Sequence, residues 1–419
     1  MHFNTFLFRF GLNPDDFEPF ISDPIQSDTG FIYYLDQDHS KIPCPFCKSD
    51  NIGIKGYYRK DINCSDSVHV TDTVKVKMIR FKCKCCNKTF NKPLHGIKKY
   101  ASISNLSIKT ICLDFHLYKS FDQISKKHHI SKTEVIRIFD EHIPSPKRLP
   151  LPEVLCIDEF HFSSKSNEKY CVILVNWQTK EIIDIIRNRK LPYLREYFSQ
   201  IDDKELKKVK YFVSDLYDGY RTIHKEFFSK SHHIADFYHI TIQLSRALNV
   251  LRTQVMKQLN PSSIEYKFMK KYWSYFISRS SFIPSSKIFK TKSNQEAPFF
   301  DLFIKCVKLN DNLWNGYDCL QDLFSFQKDQ FFSDAVKHFE WLSNKLSLSS
   351  SQLLIDVAKT YSKWSIEIGN AYSFHPGYKN ISNAIAESTN NKIKTIIKDA
   401  YGFSCFERFR KRALLLLRH

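Results

Sequence analysis

Two kinds of segment are missing from this sequence. No apolar run approaches the ~18 to 20 residues that a membrane-spanning helix needs. The opening MHFNTFLFRFGLNPDDF becomes acidic too soon for a secretory signal. We therefore expect a soluble intracellular protein without a membrane partner. The 42% of hydrophobic residues favour a folded chain, and 419 residues suffice for two or more domains.

Acidic residues are scarce, and the deficit is concentrated in one region. The chain has 63 Lys and Arg against 44 Asp and Glu, a formal charge of +19. Residues 1–40 have one basic residue against seven acidic ones (−6), whereas residues 41–150 have 22 against nine (+13). A basic block of this size favours a polyanionic partner, most simply the phosphates of DNA. A basic surface that serves only solubility is the alternative.

The cysteines indicate a metal site rather than disulfides. Most of the twelve are isolated, but CPFC and CKCC place two CxxC pairs 35 residues apart. Four thiolates fill a tetrahedral structural zinc site, and strand-like alternation between the pairs predicts a zinc ribbon. Redox use of the pairs is the alternative, and Cys85 is left over. The predicted ligands of one structural Zn²⁺ are Cys44, Cys47, Cys83 and Cys86.

The segment 106–142 has the pattern of a helix-turn-helix domain. An apolar helix is followed by two shorter ones, with Ser120 and Ser131 as predicted N-caps. The last helix would present Lys132, Thr133 and Arg137 to a major groove of DNA. A three-helix bundle that binds nothing is the alternative. The proline-rich IPSPKRLPLPE then predicts a linker.

The middle of the chain alternates strands and helices in the order β-β-β-α-β-α-β, the order of an RNase H-like domain. VLCIDEF and VKYFVSDLYDGY are two apolar strands that end near Asp158 and Asp215. In this fold the two aspartates would lie on adjacent central strands. Aspartates held so close repel each other unless divalent cations neutralise them. For any single aspartate at a strand end, a turn or cap residue is the alternative.

A third carboxylate is available near the end of the sequence. SNAIAESTNNKIKTIIKDAYGF reads as a helix whose polar side carries Asn383, Glu387, Asn391 and Lys394. A solvated helix face is the simplest interpretation of such a stripe. If the helix instead crosses the sheet, Glu387 would complete a site for two Mg²⁺ or Mn²⁺ ions with the two aspartates.

With these blocks in view, the sequence resembles the DDE transposases of bacterial insertion sequences, specifically the ISL-three family. CPFC with RFKCKCCNKTF is similar to that family's zinc-binding head. CIDEFHF, VSDLYDGYR, ADFYHI and the helix around Glu387 are similar to its catalytic blocks. The resemblance implies that Asp158, Asp215 and Glu387 are the DDE acids. Asp236 and His239 match a D-x-x-H pattern of related transposases, so His239 is a further catalytic candidate, with a structural histidine as the alternative.

The resemblance also organises the rest of the chain. It implies an α-helical insertion between the second Asp and the Glu, including a predicted loop over 280–298. The basic tail FERFRKRALLLLRH is predicted to pack behind the Glu387 helix and to offer its cations to the DNA backbone. These cations are Arg408, Arg410, Lys411 and Arg412.

The sequence thus predicts an α/β multidomain protein, with an RNase H-like mixed-sheet catalytic core and an all-α insertion, preceded by a zinc ribbon and a helix-turn-helix domain. The expected boundaries are an N-terminal segment 1–40, zinc ribbon 41–98, helix-turn-helix domain and linker 99–150, first part of the core 151–240, insertion 241–375, and second part with the Glu helix and tail 376–419.

The expected function is binding of terminal inverted repeats and metal-dependent cleavage and strand transfer of double-stranded DNA. The resemblance implies a homo-oligomer on DNA, in the bacterial cytoplasm at the nucleoid. Two alternatives stay open: a sequence-specific DNA-binding regulator without catalysis, and an RNase H-like nuclease.

Overall fold

The computed structural model describes residues 3–19, 23–65, 71–98, 101–117, 120–162, 169–292, 295–326 and 328–418. The chain forms two compact units. The first combines residues 1–147 with residues 395–419, and the second comprises residues 148–394. In the described residues no helix is both long and apolar enough to cross a membrane.

The first unit begins with a sheet built on a long antiparallel hairpin. Its strands follow the order β1-β2-β4-β3, with β5 also pairing with β4 and with β2 parallel to β4. Alternation along β4 buries Val74, Val76 and Met78 against Leu7 and Ile62, while the intervening lysines face outward. The elements are α1 (Phe3–Arg9), a 3₁₀ turn (Pro14–Asp16), β1 (Ile25–Gln26), β2 (Phe31–Asp36), β3 (Ile52–Ser65), β4 (Thr71–Cys83) and β5 (Thr89–Asn91).

Three helices follow: α2 (Asn105–Leu117), α3 (Phe121–His128) and α4 (Lys132–His142). Both predicted N-caps are present. Ser120 forms a capping box with Gln123, and the Ser131 side chain accepts a hydrogen bond from the backbone N–H of Glu134. The turn between α3 and α4 is made by His129, whose φ of 49° is left-handed. Apolar side chains from all three helices form one core.

The second unit contains a five-stranded mixed sheet of order β10-β9-β6-β7-β8. The first three strands in sequence form an antiparallel meander, and β9 and β10 add in parallel on the other side of β6. The predicted order of strands and helices is therefore present, with one additional helix of 4 residues before the fourth strand. The elements are β6 (Val154–His161), β7 (Tyr170–Asn176), β8 (Ile182–Ile186), α5 (Leu191–Ser199), α6 (Asp203–Leu206), β9 (Tyr211–Ser214), α7 (Asp218–Phe227) and β10 (His232–Ala235).

Alternation along β6 separates its two faces. Leu155 and Ile157 pack in an apolar core with side chains of α5 and α7. Cys156 and Asp158 therefore face the other side of the sheet. There, the thiol of Cys156 lies 3.8 Å from the carbonyl oxygen of Ser382, just before the helix that carries Glu387.

The rest of the second unit is mostly helical, as predicted. The expected loop over 280–298 is wrong in part, because this stretch contains a short 3₁₀ turn and a two-stranded antiparallel hairpin; residues 293 and 294 lie outside the described residues. The elements are α8 (Phe237–Gln258), α9 (Ile264–Lys271), 3₁₀ turns (Trp273–Ile277 and Ser280–Phe282), β11 (Ile288–Lys290), β12 (Glu296–Pro298), α10 (Phe299–Val307), α11 (Asp311–Ser325), α12 (Phe332–Ser347), α13 (Gln352–Lys363), α14 (Ser365–Tyr372) and α15 (Ala384–Asp399), whose residues from 395 onward are assigned to the first unit.

The last helix, α16 (Phe406–Leu417), corrects the prediction for the tail. Its residues belong to the first unit, where Phe403 and Leu415 pack against the core of the three helices. Arg412 is only 1% exposed, donates to the carbonyl oxygen of Phe115, and lies within 5.7 Å of three phenylalanine ring centroids.

The other cations of α16 are occupied as well. Lys411 donates to the carbonyl oxygen of Phe139, Arg408 pairs with Asp140, and Arg410 donates to the carbonyl oxygen of Pro146. The expectation that these side chains are available to DNA was wrong for Lys411 and Arg412, which are buried. For Arg408 and Arg410, which are half-buried, it stays a prediction. The sequence pattern showed basic residues but could not show that aromatic rings and helix carbonyls bind them.

Candidate active site

The two aspartates are brought together by strand register. Cys156 on β6 is paired in parallel with Val213 on β9, so Asp158 and Asp215, each two residues further on, are at equivalent positions. Neighbouring strands lie about 4.8 Å apart. The two carboxyl groups therefore lie on the same face of two adjacent strands, with Asp158 inside β6 and Asp215 directly after β9. The expectation that Asp158 ends its strand is wrong, because β6 continues to His161.

Both aspartates line a cleft of about 460 Å³ in the second unit, together with Glu387 from the first turn of α15. His239, from the first turn of α8, also lines this cleft. All four predicted catalytic side chains thus meet at one site. The full lining is Asp158, Glu159, Phe160, His161, Tyr170, Asp215, Tyr238, His239, Glu387, Asn390, Asn391 and Lys394.

The most closely spaced group of possible metal ligands near the cleft is not the expected set of Asp158, Asp215 and Glu387. Asp236, His239 and Glu387 have possible ligand atoms that all lie within 4.8 Å of one another. Over the described ranges, Asp158 and Asp215 belong to no group of three that is equally tight. Glu387 therefore lies nearer to the D-x-x-H pair than the sequence alone indicated.

A hydrogen bond fixes the D-x-x-H pair. Nδ1 of His239 lies 2.9 Å from Oδ2 of Asp236, a residue that is 2% exposed and directly precedes α8. Oδ1 of Asp236 accepts the backbone N–H of Asn383 at 3.1 Å, so one carboxylate links α8 to the start of α15. Because the carboxylate binds Nδ1, the Nε2 atom of His239 is the ring nitrogen that can bind another group.

The electrostatics of the cleft favour binding of a cation. Burial and the neighbouring charges of Asp215 and Glu387 raise the pKa of Asp158 to about 7. Burial and the charge of Glu159 raise the pKa of Asp215 to about 6. The pKa of Glu387 is raised by burial and by Asp236. Carboxyl groups that resist ionisation together are stabilised as carboxylates when a divalent cation binds them.

The pKa of His239 is raised as well, but for a histidine a raised pKa favours the charged form rather than the neutral one. Burial alone lowers the pKa of His239, but its hydrogen bond to Asp236 and the charges of Asp215 and Asp158 outweigh burial and raise it. A protonated imidazole partly neutralises the acids around it. His239 is thus electrostatically coupled to all of the predicted acids.

The donor atoms of the cleft suit Mg²⁺ or Mn²⁺. Carboxylate oxygens are the ligands that these hard cations prefer. Oδ1 of Asp215 is buried and has no hydrogen-bond partner among the described atoms. An unpaired buried carboxylate oxygen is costly unless a cation or a proton occupies it. The residues present therefore fit a divalent cation.

Sequence reasoning missed Asn390, which donates to Oδ2 of Asp158 at 2.7 Å. The polar stripe predicted from the sequence passes through Asn391, one residue later. At about 100° per residue, Asn390 lies about 20° from Asn383 and about 60° from Glu387 around the helix, whereas Asn391 lies about 80° and about 40° away. Both positions therefore fit the polar side, and helix phase alone does not choose between them. Only the docked helix shows that Asn390 is buried and that Asn391 is exposed.

Glu159 points to the opposite face from Asp158, as strand alternation requires, yet it remains close to the site. Its carboxylate pairs with Arg189, whose guanidinium lies 4.5 Å from the ring centroid of Tyr170. Arg189 thereby offsets part of the negative charge of Glu159 beside Asp215. The sequence could not assign this pairing, because Arg189 lies 30 residues away.

The four predicted zinc ligands converge in the first unit. Their sulfur atoms all lie within 4.8 Å of one another, and the Sγ–Sγ distances of Cys44–Cys86 and Cys47–Cys83 are both 3.6 Å. Tetrahedral zinc with Zn–S bonds of about 2.3 Å would separate the sulfurs by about 3.8 Å. Cys85 lies outside the cluster and is exposed. The four thiols fit a structural Zn²⁺.

Two equivalent turns create this arrangement. Each second cysteine is followed by a residue with left-handed backbone, Lys48 with φ 61° and Asn87 with φ 58°. In the first turn the N–H of Lys48 donates to the carbonyl oxygen of Cys44 at 2.8 Å. The CxxC spacing and this reversal aim both thiols of a pair at one point.

The predicted DNA-contacting residues of α4 differ in their surroundings. Lys132 and Thr133 are exposed at the start of the helix. Arg137 is engaged by two carboxylates of its own helix, at 2.5 Å from Glu134 and 2.6 Å from Glu141. The sequence showed these charges, but not that Arg137 reaches both acids.

The comparison with protein families covers residues 155–394 of the second unit and residues 395–413 of the first. A family model of ISL-three DDE transposases, described as "Transposase", matches residues 155–413, which include every residue of the acidic cleft. No curated protein matches the sequence. The match covers more than half of the chain, and it confirms the resemblance drawn from the motifs. The chain belongs to the ISL-three family of DDE transposases, proteins of DNA transposition.

Proposed function

We propose that this chain binds the terminal inverted repeats of an insertion sequence and catalyses metal-dependent cleavage and strand transfer of DNA. The observation that carries the proposal is the meeting of Asp158, Asp215 and Glu387 at one cleft, with the two aspartates in equivalent strand register. Membership of the transposase family makes DNA the substrate.

The strand order supports an RNase H-like core. An antiparallel meander, a central first strand and two further parallel strands on its other side match the order expected for that fold. In this arrangement Asp158 lies on the central strand, Asp215 follows the adjacent strand, and α15 brings Glu387 to the same face.

In the proposed reaction Asp158, Asp215 and Glu387 bind two Mg²⁺ or Mn²⁺ ions beside the scissile phosphate. Such an ion pair activates an attacking oxygen and stabilises a leaving oxygen. The same three carboxylates serve hydrolysis at the element's end and attack of the freed 3′-OH on target DNA. His239, held through Nδ1 by Asp236, would contribute its ring beside Glu387.

The first unit supplies DNA binding in this proposal. A zinc ribbon held by Cys44, Cys47, Cys83 and Cys86 and a helix-turn-helix formed by α3 and α4 would recognise the element's ends. The support is the convergence of the four sulfurs and the capped, left-handed turn between two short helices. Lys132 and Thr133, exposed at the start of α4, would contact DNA, and Arg137 would do so only by exchanging its carboxylate partners.

The test uses purified protein and duplexes that carry the inverted repeats flanking its coding sequence. Asp158→Asn, Asp215→Asn and Glu387→Gln should each abolish Mg²⁺-dependent cleavage and strand transfer while end binding changes little. Asp203→Asn, which changes an exposed acid on α6, is the matched control and should cleave normally.

Each alternative has its own outcome in this test. Sequence-specific end binding without cleavage or divalent-metal binding in the wild type would indicate a DNA-binding regulator. Cleavage that ignores the terminal repeats would indicate an RNase H-like nuclease. Normal cleavage by one of the three variants would remove that residue from the mechanism.

A further inference from the structure

The amide of Asn390 is held in one orientation between two oxygen atoms of β6. Asn390 is 3% exposed, and its Nδ2 lies 2.7 Å from Oδ2 of Asp158 and 3.1 Å from the carbonyl oxygen of Glu159. An amide nitrogen has two hydrogens, so both donors are used. Reversing the amide would bring its oxygen against these same two acceptors, which would repel it.

Asn383 makes a corresponding attachment at the other end of the same stretch. It is fully buried, and its Nδ2 donates to the carbonyl oxygen of Ile157 at 3.1 Å. Its backbone N–H donates to Asp236, as described above. Asn383 thus links the start of α15 to the central strand and to the start of α8.

The two attachments enclose Glu387. Asn383 precedes Glu387 by four residues and Asn390 follows it by three, so all three lie on one side of the helix. Their partners on β6 are consecutive residues, from 157 to 159. Rotation of α15, or sliding by one residue, would break both attachments at once.

We propose that Asn383 and Asn390 are positioning residues that fix Glu387 relative to Asp158. Asn390 also orients the carboxylate of Asp158, because its amide donates to Oδ2 while the backbone N–H of Glu159 donates to Oδ1. The inference rests on the proposed function, since it assigns these residues to the same metal-binding acids. Metal sites depend in this way on groups that orient the ligands themselves.

An alternative role for Asn390 is to fill space between helix and sheet. The two roles predict opposite answers to which substitution is more harmful, Asn390→Asp or Asn390→Ala. Asp has nearly the shape of Asn, so a space-filling role makes Asn390→Asp milder than Asn390→Ala. A donor role makes Asn390→Asp the more harmful change, because a second carboxylate would then face Asp158 at the 2.7 Å now bridged by a hydrogen bond.

The experiment compares the full-length wild type with Asn390→Ala, Asn390→Asp and Asn383→Ala. Ser388→Ala and Ser388→Asp, at an exposed position of the same helix, are the matched controls. Two quantities are measured: the affinity of the DNA-free protein for Mn²⁺ by electron paramagnetic resonance, and the single-turnover cleavage rate as a function of Mg²⁺ concentration. Circular dichroism verifies that each variant is folded.

Asn390→Ala should weaken Mn²⁺ binding by roughly 10- to 100-fold and raise the half-saturating Mg²⁺ concentration similarly. Asn390→Asp should cleave more slowly than Asn390→Ala, and both Ser388 variants should stay within about twofold of the wild type. If Asn390→Asp does not fold, Asn390→Ala and Asn383→Ala still carry the test through Mn²⁺ affinity.

The inference is overturned if Asn390→Asp cleaves faster than Asn390→Ala, or if Asn390→Ala and Asn383→Ala bind Mn²⁺ as the wild type does. In that case a wild type that cleaves and an inactive Asp158→Asn variant would leave the proposed function intact. A wild type that neither cleaves nor binds Mn²⁺ would instead refute the proposed function, and the positioning role with it.

Discussion

The cysteine cluster of the first unit and the acidic cleft of the second are both candidate metal sites, but they are assembled differently. The four sulfurs come from two short turns and already lie at nearly tetrahedral separations. The acids come from two strands and two helices, and only Asp236, His239 and Glu387 form an equally tight group. The cysteine site is specified mainly by the short CxxC spacing within each turn. The acidic cleft, in contrast, depends on the docking of α15 against the sheet.

The electrostatic contrast is equally clear. In the cleft, burial raises the pKa of Asp158 to about 7 and that of Asp215 to about 6, so these acids are held together against their own repulsion. Such an arrangement is expected where a cation enters and leaves with the substrate. The cysteine cluster instead has the closed ligand set of a permanent structural ion.

The largest effect is expected from breaking the cysteine cluster. Cys83→Ser should reduce the zinc content from one ion per chain to nearly none and abolish end binding. Structural zinc contributes of order 10 kcal/mol to the folding of small domains. Atomic absorption and thermal unfolding measure the two consequences, and Cys85→Ser is the matched control that should retain zinc. Full zinc occupancy in Cys83→Ser would contradict the ligand assignment.

An intermediate effect on the stability of the folded protein is expected when a change of pH alters the charge of the acidic cleft. The pKa values of Asp158 and Asp215 are raised in the folded state, so the folded protein binds more protons than the unfolded one at pH between about 4 and about 7. Its metal-free stability should therefore fall as pH rises through this window. Added Mn²⁺ should offset the loss, because it binds the ionised carboxylates.

Thermal unfolding with and without Mn²⁺ measures this dependence. The increase in Tm caused by Mn²⁺ should be several degrees at pH 8 and less than about half as large at pH 5.5. The double variant Asp158→Asn, Asp215→Asn should lose most of both the pH dependence and the Mn²⁺ effect. An Mn²⁺ effect that is the same at the two pH values would contradict the cleft electrostatics.

The smallest effect concerns α4 of the first unit. Lys132→Ala should weaken binding to all DNA sequences modestly and reduce the salt dependence of affinity by about one ion. Arg137→Ala should change affinity less, because its guanidinium is engaged by Glu134 and Glu141. Fluorescence anisotropy at several salt concentrations distinguishes the two. A larger loss for Arg137→Ala would show that this arginine leaves its carboxylates to contact DNA.

The predictions from sequence succeeded where the signal is local. The caps at Ser120 and Ser131 depend on a side chain and an N–H three residues away, and both were found. The order of strands and helices in the second unit followed from apolar runs and turn residues. The adjacency of the two strands that carry Asp158 and Asp215 was predicted with this order, but their register comes from the pairing of Cys156 with Val213 and not from a common strand end.

The predictions failed where contacts between segments far apart in the sequence determine the burial and the hydrogen-bond partners of a residue. The basic pattern of α16 indicated a DNA-facing tail, but Arg412 is buried by phenylalanine rings from three other helices. The helical stripe around Glu387 gave the correct helix, and its Asn391 lines the cleft, but it did not include Asn390, whose hydrogen bond to Asp158 depends on docking against β6. Hydrogen-bond partners more than 200 residues apart leave no periodic trace in a single sequence.

The central claim is that Asp158, Asp215 and Glu387 bind the same cations. A crystal structure of the protein soaked in Mn²⁺, with anomalous scattering to locate the ions, tests it directly. We predict two ions about 4 Å apart, with Glu387 as a ligand of at least one ion that Asp158 or Asp215 also binds. Ions that avoid Glu387 while it remains beside Asp236 and His239 would contradict the claim.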